Sequence, residues 1–235
     1  MKKLLGLITV LVITYSAFAG EVPMFVDLGF SEDGTKYAFA QYGVIDETLQ
    51  AFAEVYILSV KDNDYVSGGI RKIEPSKETA NVPAKKIYKD LMEQNSALLE
   101  HHGFADAKPA TPIYRLAPGV AEQKIIEVRD FQVTDRPEEI RYQIHLKEKV
   151  EGINKNAISS FYLEIEQRDT QDVVLSRGSI GSSRLKEKGV TEYKIYRVLT
   201  DKSHGNLAVV VQRRISGKHG NSIRFGVETT RLGEF

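Results

Sequence analysis

A mainly β protein of antiparallel meanders with one amphipathic helix is what the sequence predicts, and three observations carry the prediction. In LGFSEDGTKYAF, Leu28 to Phe39, two strand patterns flank Asp33-Gly34; the glycine supplies the positive φ of a tight hairpin and the aspartate caps the turn with its own side chain. In the middle of the chain Ile140, Tyr142, Ile144 and Leu146 alternate with Arg141, Gln143, His145 and Lys147, and Phe161, Leu163 and Ile165 alternate with Tyr162, Glu164 and Glu166, so each strand has one wet face. By contrast AEVYILSV, Ala53 to Val60, and LAVVVQ, Leu207 to Gln212, are apolar on both faces and need cover on two sides.

The elements follow in order. Lys2 and Lys3, an apolar run from Leu4 to Ile13, and Ala17-Phe18-Ala19 read as a secretory signal peptide over residues 1–19, cleaved before Gly20. The run falls short of the ~20 residues that span a bilayer, so no membrane span is expected in the mature form. After the Asp33-Gly34 hairpin comes a third strand at Glu54 to Val60, a turn at KDND, Lys61 to Asp64, and a fourth segment ending at Gly68-Gly69. Residues 83–102 change period: Pro83 suits a first helical turn, Ile87, Leu91 and Leu98 recur at helical spacing, His101 and His102 suit the negative end, and Gly103 can close the helix. One helix near 84–102 is therefore expected, with those three apolar side chains buried. Residues 105–119, with three prolines, read as an extended surface connection.

The alternating middle strands are expected to pair across the loop at Glu148 to Ser159, a basic outer face meeting an acidic one. RGSIGSS, Arg177 to Ser183, reads as a Gly/Ser turn between strands. Two architectures fit: a propeller-like stack of roughly four blades at ~40–45 residues each, or a β-sandwich with the helix over one sheet. Both make residues 20–235 one domain with its N- and C-terminal segments close in space.

Composition narrows the function. The absence of cysteine excludes disulfides, thiolate metal sites and cysteine nucleophiles. Cleavage would remove two lysines, leaving 30 Lys and Arg against 32 Asp and Glu in 216 residues, a balance that argues against nucleic acid or an anionic membrane as the main partner. No metal or cofactor is expected: His101, His102, His145, His204 and His219 lack ligand spacing, and Asp62-Asn63-Asp64 lacks the glycine and distal glutamate of a calcium loop. RGSIGSS lacks the order of a nucleophile elbow, and Glu164 with Glu166 is the ordinary product of a period-two wet face. The basic turn QRRISGKHGN, Gln212 to Asn221, reads as charges guarding a strand edge. AQYGVIDET, Ala40 to Thr48, is the candidate binding feature, because a buried strand ends there in Gln41 and Tyr42 and turns toward Asp46 and Glu47 at a sheet end.

Phe30, Ser31, Asp33, Gly34, Ala38 and Phe39 match F-S-x-D-G-x-x-x-A-F, which resembles the repeat of TolB-type and WD40-like propellers, with Glu32 where the usual motif has proline. Over most of the mature chain the sequence more closely resembles a family of predicted secreted bacterial proteins of unknown function. That resemblance rests on LGFSEDGTKYAFAQYGVIDE, on AEVYILSV leading to Gly-Gly, and on YKIYRVL, NLAVVV and IRFGVET near the C-terminus. It implies export and no known activity. The leading expectation is a periplasmic binding or scaffold protein that captures another envelope protein through sheet ends and loops. Its rivals are a hydrolase of envelope glycan or peptide whose carboxylates meet only in the fold, and a self-assembling structural protein.

Overall fold

A computed structural model of the chain describes residues 21–117, 119, 123–129, 141–217 and 220–232, so the signal-peptide reading and Ile140 lie outside the described residues. Four strands, β1 (Met24–Phe30), β2 (Lys36–Ile45), β3 (Gln50–Ser59) and β4 (Asp64–Ile73), form an antiparallel meander in chain order. Two helices, α1 (Ala84–Gln94) and α2 (Ser96–His101), lead to β5 (Thr111–Arg115). A second sheet holds β6 (Ile125–Arg129), β7 (Arg141–Glu151) and β8 (Ile158–Arg168), with β9 (Val174–Gly181) and the short β10 (Glu187–Lys188) both on the free side of β8. The C-terminal strands β11 (Val190–Thr200), β12 (Asn206–Ser216) and β13 (Asn221–Arg231) complete a third sheet, on whose β11 edge β5 is added.

The described residues form an open, sandwich-like stack of these sheets, without closing into a ring. The order through the stack follows from the apolar patterns. Ala38, Ala40, Ala53, Val55 and Ile57 of the N-terminal sheet face Ile87, Leu91, Leu99 and Phe104 of the helical segment. The opposite face, with Phe25, Tyr37, Phe39, Tyr56 and Leu58, meets Ala208, Val210, Phe225 and Val227 of the C-terminal sheet. That sheet's far side, with Tyr193, Ile195, Leu207, Val209 and Val211, meets Tyr142, Ile144, Leu146, Leu163 and Ile165 of the middle sheet. Thus β3 and β12 are buried on both faces, as their unbroken apolar runs require, and β7 and β8 on one. At roughly 25 cal/mol per Å² of apolar surface removed from water, the alternative of exposing either face of β12 is strongly disfavoured. The first strands β1, β5 and β6 run along one side of the stack, and β4, β13 and β9 along the other.

β7 pairs with β8 in the expected sense, with Gln143 opposite Glu166, His145 opposite Glu164 and Lys147 opposite Tyr162; Lys147 and Glu164 form an ion pair at 3.4 Å. Four local readings need correction. The fourth segment does not end at Gly68-Gly69, because β4 runs through them to Ile73, with Gly68 at φ +67° in a bulge between Tyr65 and Ile70. The helix is two helices, because the Asn95 side-chain amide donates to the Leu91 carbonyl at 2.8 Å and ends α1. The restart at Ser96 turns the face, so Leu99 is buried while Leu98 is only half-buried. The second helix ends as a Schellman motif, Phe104 N–H to the Leu99 carbonyl and Gly103 N–H to that of Glu100, both at 2.9 Å. The proline-rich connection contains β5, whose edge position tolerates Pro112. Finally, Arg177 to Gly181 is part of strand β9 and the turn begins only at Ser182; pairing with β8 outweighs the local turn tendency of Gly and Ser.

Candidate functional site

The β1–β2 turn shows how firmly the N-terminal meander is built. Asp33 Oδ1 accepts from the Ser31 hydroxyl (2.7 Å), Thr35 N–H (3.0 Å) and the Thr35 hydroxyl (2.8 Å), which together hold its carboxyl down at about 2. Gly34 lies at φ +69°, and its carbonyl accepts from the Asn206 amide at 3.2 Å. The glycine turns of β1–β2 and β11–β12 therefore meet.

At the other end of β2 the three sequence-predicted residues take different places. Gln41 is buried: its amide nitrogen donates to Glu54 Oε2 at 2.8 Å, and its oxygen accepts from Phe225 N–H of the C-terminal sheet at 3.0 Å. Glu54 also accepts from the Tyr56 hydroxyl at 2.7 Å and pairs with Lys72 at 3.1 Å. Burial, with the Glu54 charge second, pushes the Tyr56 phenol far up, so it stays a donor. Tyr42, one residue on, points to the helical side, where its half-buried ring stacks on Tyr88 of α1 with centroids 4.9 Å apart and planes at 19°. Asp46 is exposed in the β2–β3 turn beside Glu47 and Leu49. Leu49 sits at φ +54°, and its carbonyl accepts from Asn81 N–H at 2.9 Å. Val44, Val82 and Met92 continue the half-buried apolar margin around the tyrosine pair. The result is an exposed acidic hairpin tip on a locked base, with a tyrosine stack on the hairpin's flank. Gln41 belongs to the base, Tyr42 to the margin and Asp46 to the tip.

A second polar assembly lies where the last strands of the three sheets converge, and local sequence patterns did not reveal it. Asn63, in the β3–β4 turn, donates to Glu228 Oε2 at 2.5 Å and accepts from Thr229 N–H at 2.6 Å. Glu187 of β10 pairs with Arg213 at 3.1 Å and accepts from the Tyr193 hydroxyl at 2.7 Å, while the Tyr193 and Ser159 hydroxyls also lie 2.7 Å apart. Burial raises the Glu228 carboxyl against the opposing pull of Asn63 and Arg213. Arg213 lies flat over Gly226, where a Cβ would fall 2.2 Å from its Nη2; a glycine inside IRFGVET was the available signal of that close approach. Both carboxylates are held by donors from other sheets, so the assembly joins the layers.

The histidine pair closes α2 as expected, the rings 5.2 Å apart and edge to face, beside a cleft of about 300 Å³ lined by Glu32, Asp33, Lys36, His101, His102 and Gly103. Burial lowers the His102 imidazole, and His101 and Lys36 add to the effect. Among the described residues no group of three or more His, Cys, Asp or Glu is arranged to hold a metal. Glu164 and Glu166 stay on the wet face of β8, the latter between Arg168 and Arg177. No helix of the described residues is long and apolar enough to cross a membrane.

Neither the curated proteins nor the solved structures hold a match to this chain. A family model does match, from Ala38 in β2 through Arg231 in β13, which takes in most of the stack together with the hairpin tip and the convergent polar assembly. The chain belongs to the family described as "Predicted secreted protein (DUF2259)".

Proposed function

We propose that the mature protein, cleaved after Ala19 and folded as one domain, is a periplasmic binding or scaffold protein that captures another envelope protein at the β2–β3 hairpin tip. The observation that carries this reading is that the β2–β3 hairpin carries the half-buried stack of Tyr42 on Tyr88 on its flank and exposes Leu49 and the acids Asp46 and Glu47 at its turn. Stacked tyrosines offer a large amphipathic contact at low entropic cost, and the Gln41–Glu54 base removes the cost of ordering the hairpin on binding. The hydrolase reading draws on Glu228, whose raised carboxyl lies near Glu187 and Arg213, yet donors from neighbouring sheets occupy both acids. Cross-linking capture from the native envelope tests the proposal. Tyr42→Ala is expected to weaken capture about 5- to 150-fold, the scale of a 1–3 kcal/mol anchor, and Asp46→Ala less, with Asp46→Ala leaving the melting temperature unchanged. Unaltered capture by both folded variants would overturn it, as would cleavage of envelope glycan or peptide that Glu228→Gln abolishes.

A further inference from the structure

Three loops meet at one end of the middle sheet. β10, which follows the β9–β10 loop, pairs with Ile158 and Ser159 of β8, and Lys186 of that loop donates to the Ser160 hydroxyl at 3.2 Å. Gly189 beyond β10 ties the β7–β8 loop to the end of β12, its N–H to the Ala157 carbonyl and its carbonyl to Ser216 N–H, both at 2.8 Å. Their tips carry the two most exposed large apolar side chains of the described residues, Ile153 at 76% and Leu185 at 71%. Around them lie the exposed cations Lys155, Arg184, Lys186 and Lys188. The acids of the same segments are otherwise engaged: Glu148 turns inward to Lys124 and Tyr193 N–H, Glu187 turns inward to Arg213, and Glu151 pairs with Lys149 at 2.6 Å. The near neutrality of the whole chain hides this segregation of charge.

We propose that this loop end docks on an anionic lipid surface, Ile153 and Leu185 entering the headgroup boundary and the four cations lying over the phosphates. Exposed apolar tips among an excess of cations, with Glu151 the exposed acid beside them already paired to Lys149, suit a wet, anionic, deformable surface better than a preformed protein pocket, and neither the apolar nor the ionic part alone gives stable attachment. The test is co-sedimentation of the mature full-length chain with phosphatidylcholine vesicles with or without phosphatidylglycerol. Binding is expected only with the anionic lipid, weakening about fivefold for each of Lys155→Gln and Lys186→Gln and falling steeply as salt is raised. Ile153→Asp, at a position too exposed to matter for folding, should reduce binding with an unchanged urea midpoint. Equal binding to both vesicle types, no binding at low salt, or indifference to Ile153→Asp and the lysine changes would overturn the proposal. Capture of a protein partner lost in these variants, without vesicle binding in the parent, would overturn it too.

Discussion

Replacing Gly34 by valine probes the junction on which the N-terminal meander and the C-terminal sheet both depend. At φ +69° an L side chain suffers the left-handed penalty of about 1–2 kcal/mol, and a β-branched one stands at the upper end of that range. The new Cβ would also fall 3.0 Å from Asn206 Nδ2 and 3.4 Å from Asp201 Oδ2. Asn206 cannot simply retreat, because its amide nitrogen also donates to Asp201 Oδ2 at 2.9 Å and its own N–H to Oδ1 at 3.1 Å. Breaking its bond to the Gly34 carbonyl adds about 1 kcal/mol, for a total near 2–3 kcal/mol. Urea unfolding at fixed m reads this as a lowered midpoint. Gly34→Asn keeps the contact but tolerates the backbone, so it should cost less than valine. A valine variant within about 0.5 kcal/mol of the parent, or an asparagine variant as damaging as valine, would refute the reasoning.

The helical layer makes a graded prediction: Leu91→Ala and Leu99→Ala should each cost about 2–5 kcal/mol and the half-buried Leu98→Ala clearly less, in the same denaturant assay. Asn63→Ala removes the donor to Glu228 and the acceptor of Thr229 N–H, and should cost about 1–3 kcal/mol with the circular dichroism spectrum unchanged. Asp33 predicts a pH dependence. Its folded value is about 2 against an ordinary 3.8, so its stabilising effect is complete above 3.8 and lost as pH falls toward 2. Asp33→Asn should therefore flatten the acid limb of the stability profile in that window, and an unchanged limb would count against the hydrogen-bonded turn.

Much of the stack could be read from the chain because its strands bury faces in different ways. The continuous apolar runs of β3 and β12 demanded cover on two sides, and the alternating β7 and β8 could spare only one face, so the C-terminal strands had to lie against the N-terminal meander. What completes the opening meander is thus the sheet of β11 to β13, tied to it by Gln41 and Asn206. Local chemistry misled where tertiary contacts decided: Pro112 hid β5, glycine and serine hid β9, and Asn95 moved the apolar face from Leu98 to Leu99. The candidate tip was legible at Tyr42 and Asp46, but its aromatic partner Tyr88 comes from the helix, and the role of Gln41 in the base depends on a backbone donor 184 residues away. The assembly of Asn63, Glu187, Arg213 and Glu228 draws on three sheets, and its members share no local period.

If the C-terminal sheet is the shared middle layer of one cooperative stack, its strands and those of the sheets on either side should open together. Native-state hydrogen exchange reads this strand by strand. Amides of β12 from Leu207 to Val211 should exchange only through global unfolding, with the same opening free energy and denaturant slope as the buried amides of β3 and β8. Edge strand β4 should open at lower free energy. Exchange of β12 by local opening, or a free energy for β8 distinct from that of β3, would contradict this cooperativity and divide the stack into independently folding parts.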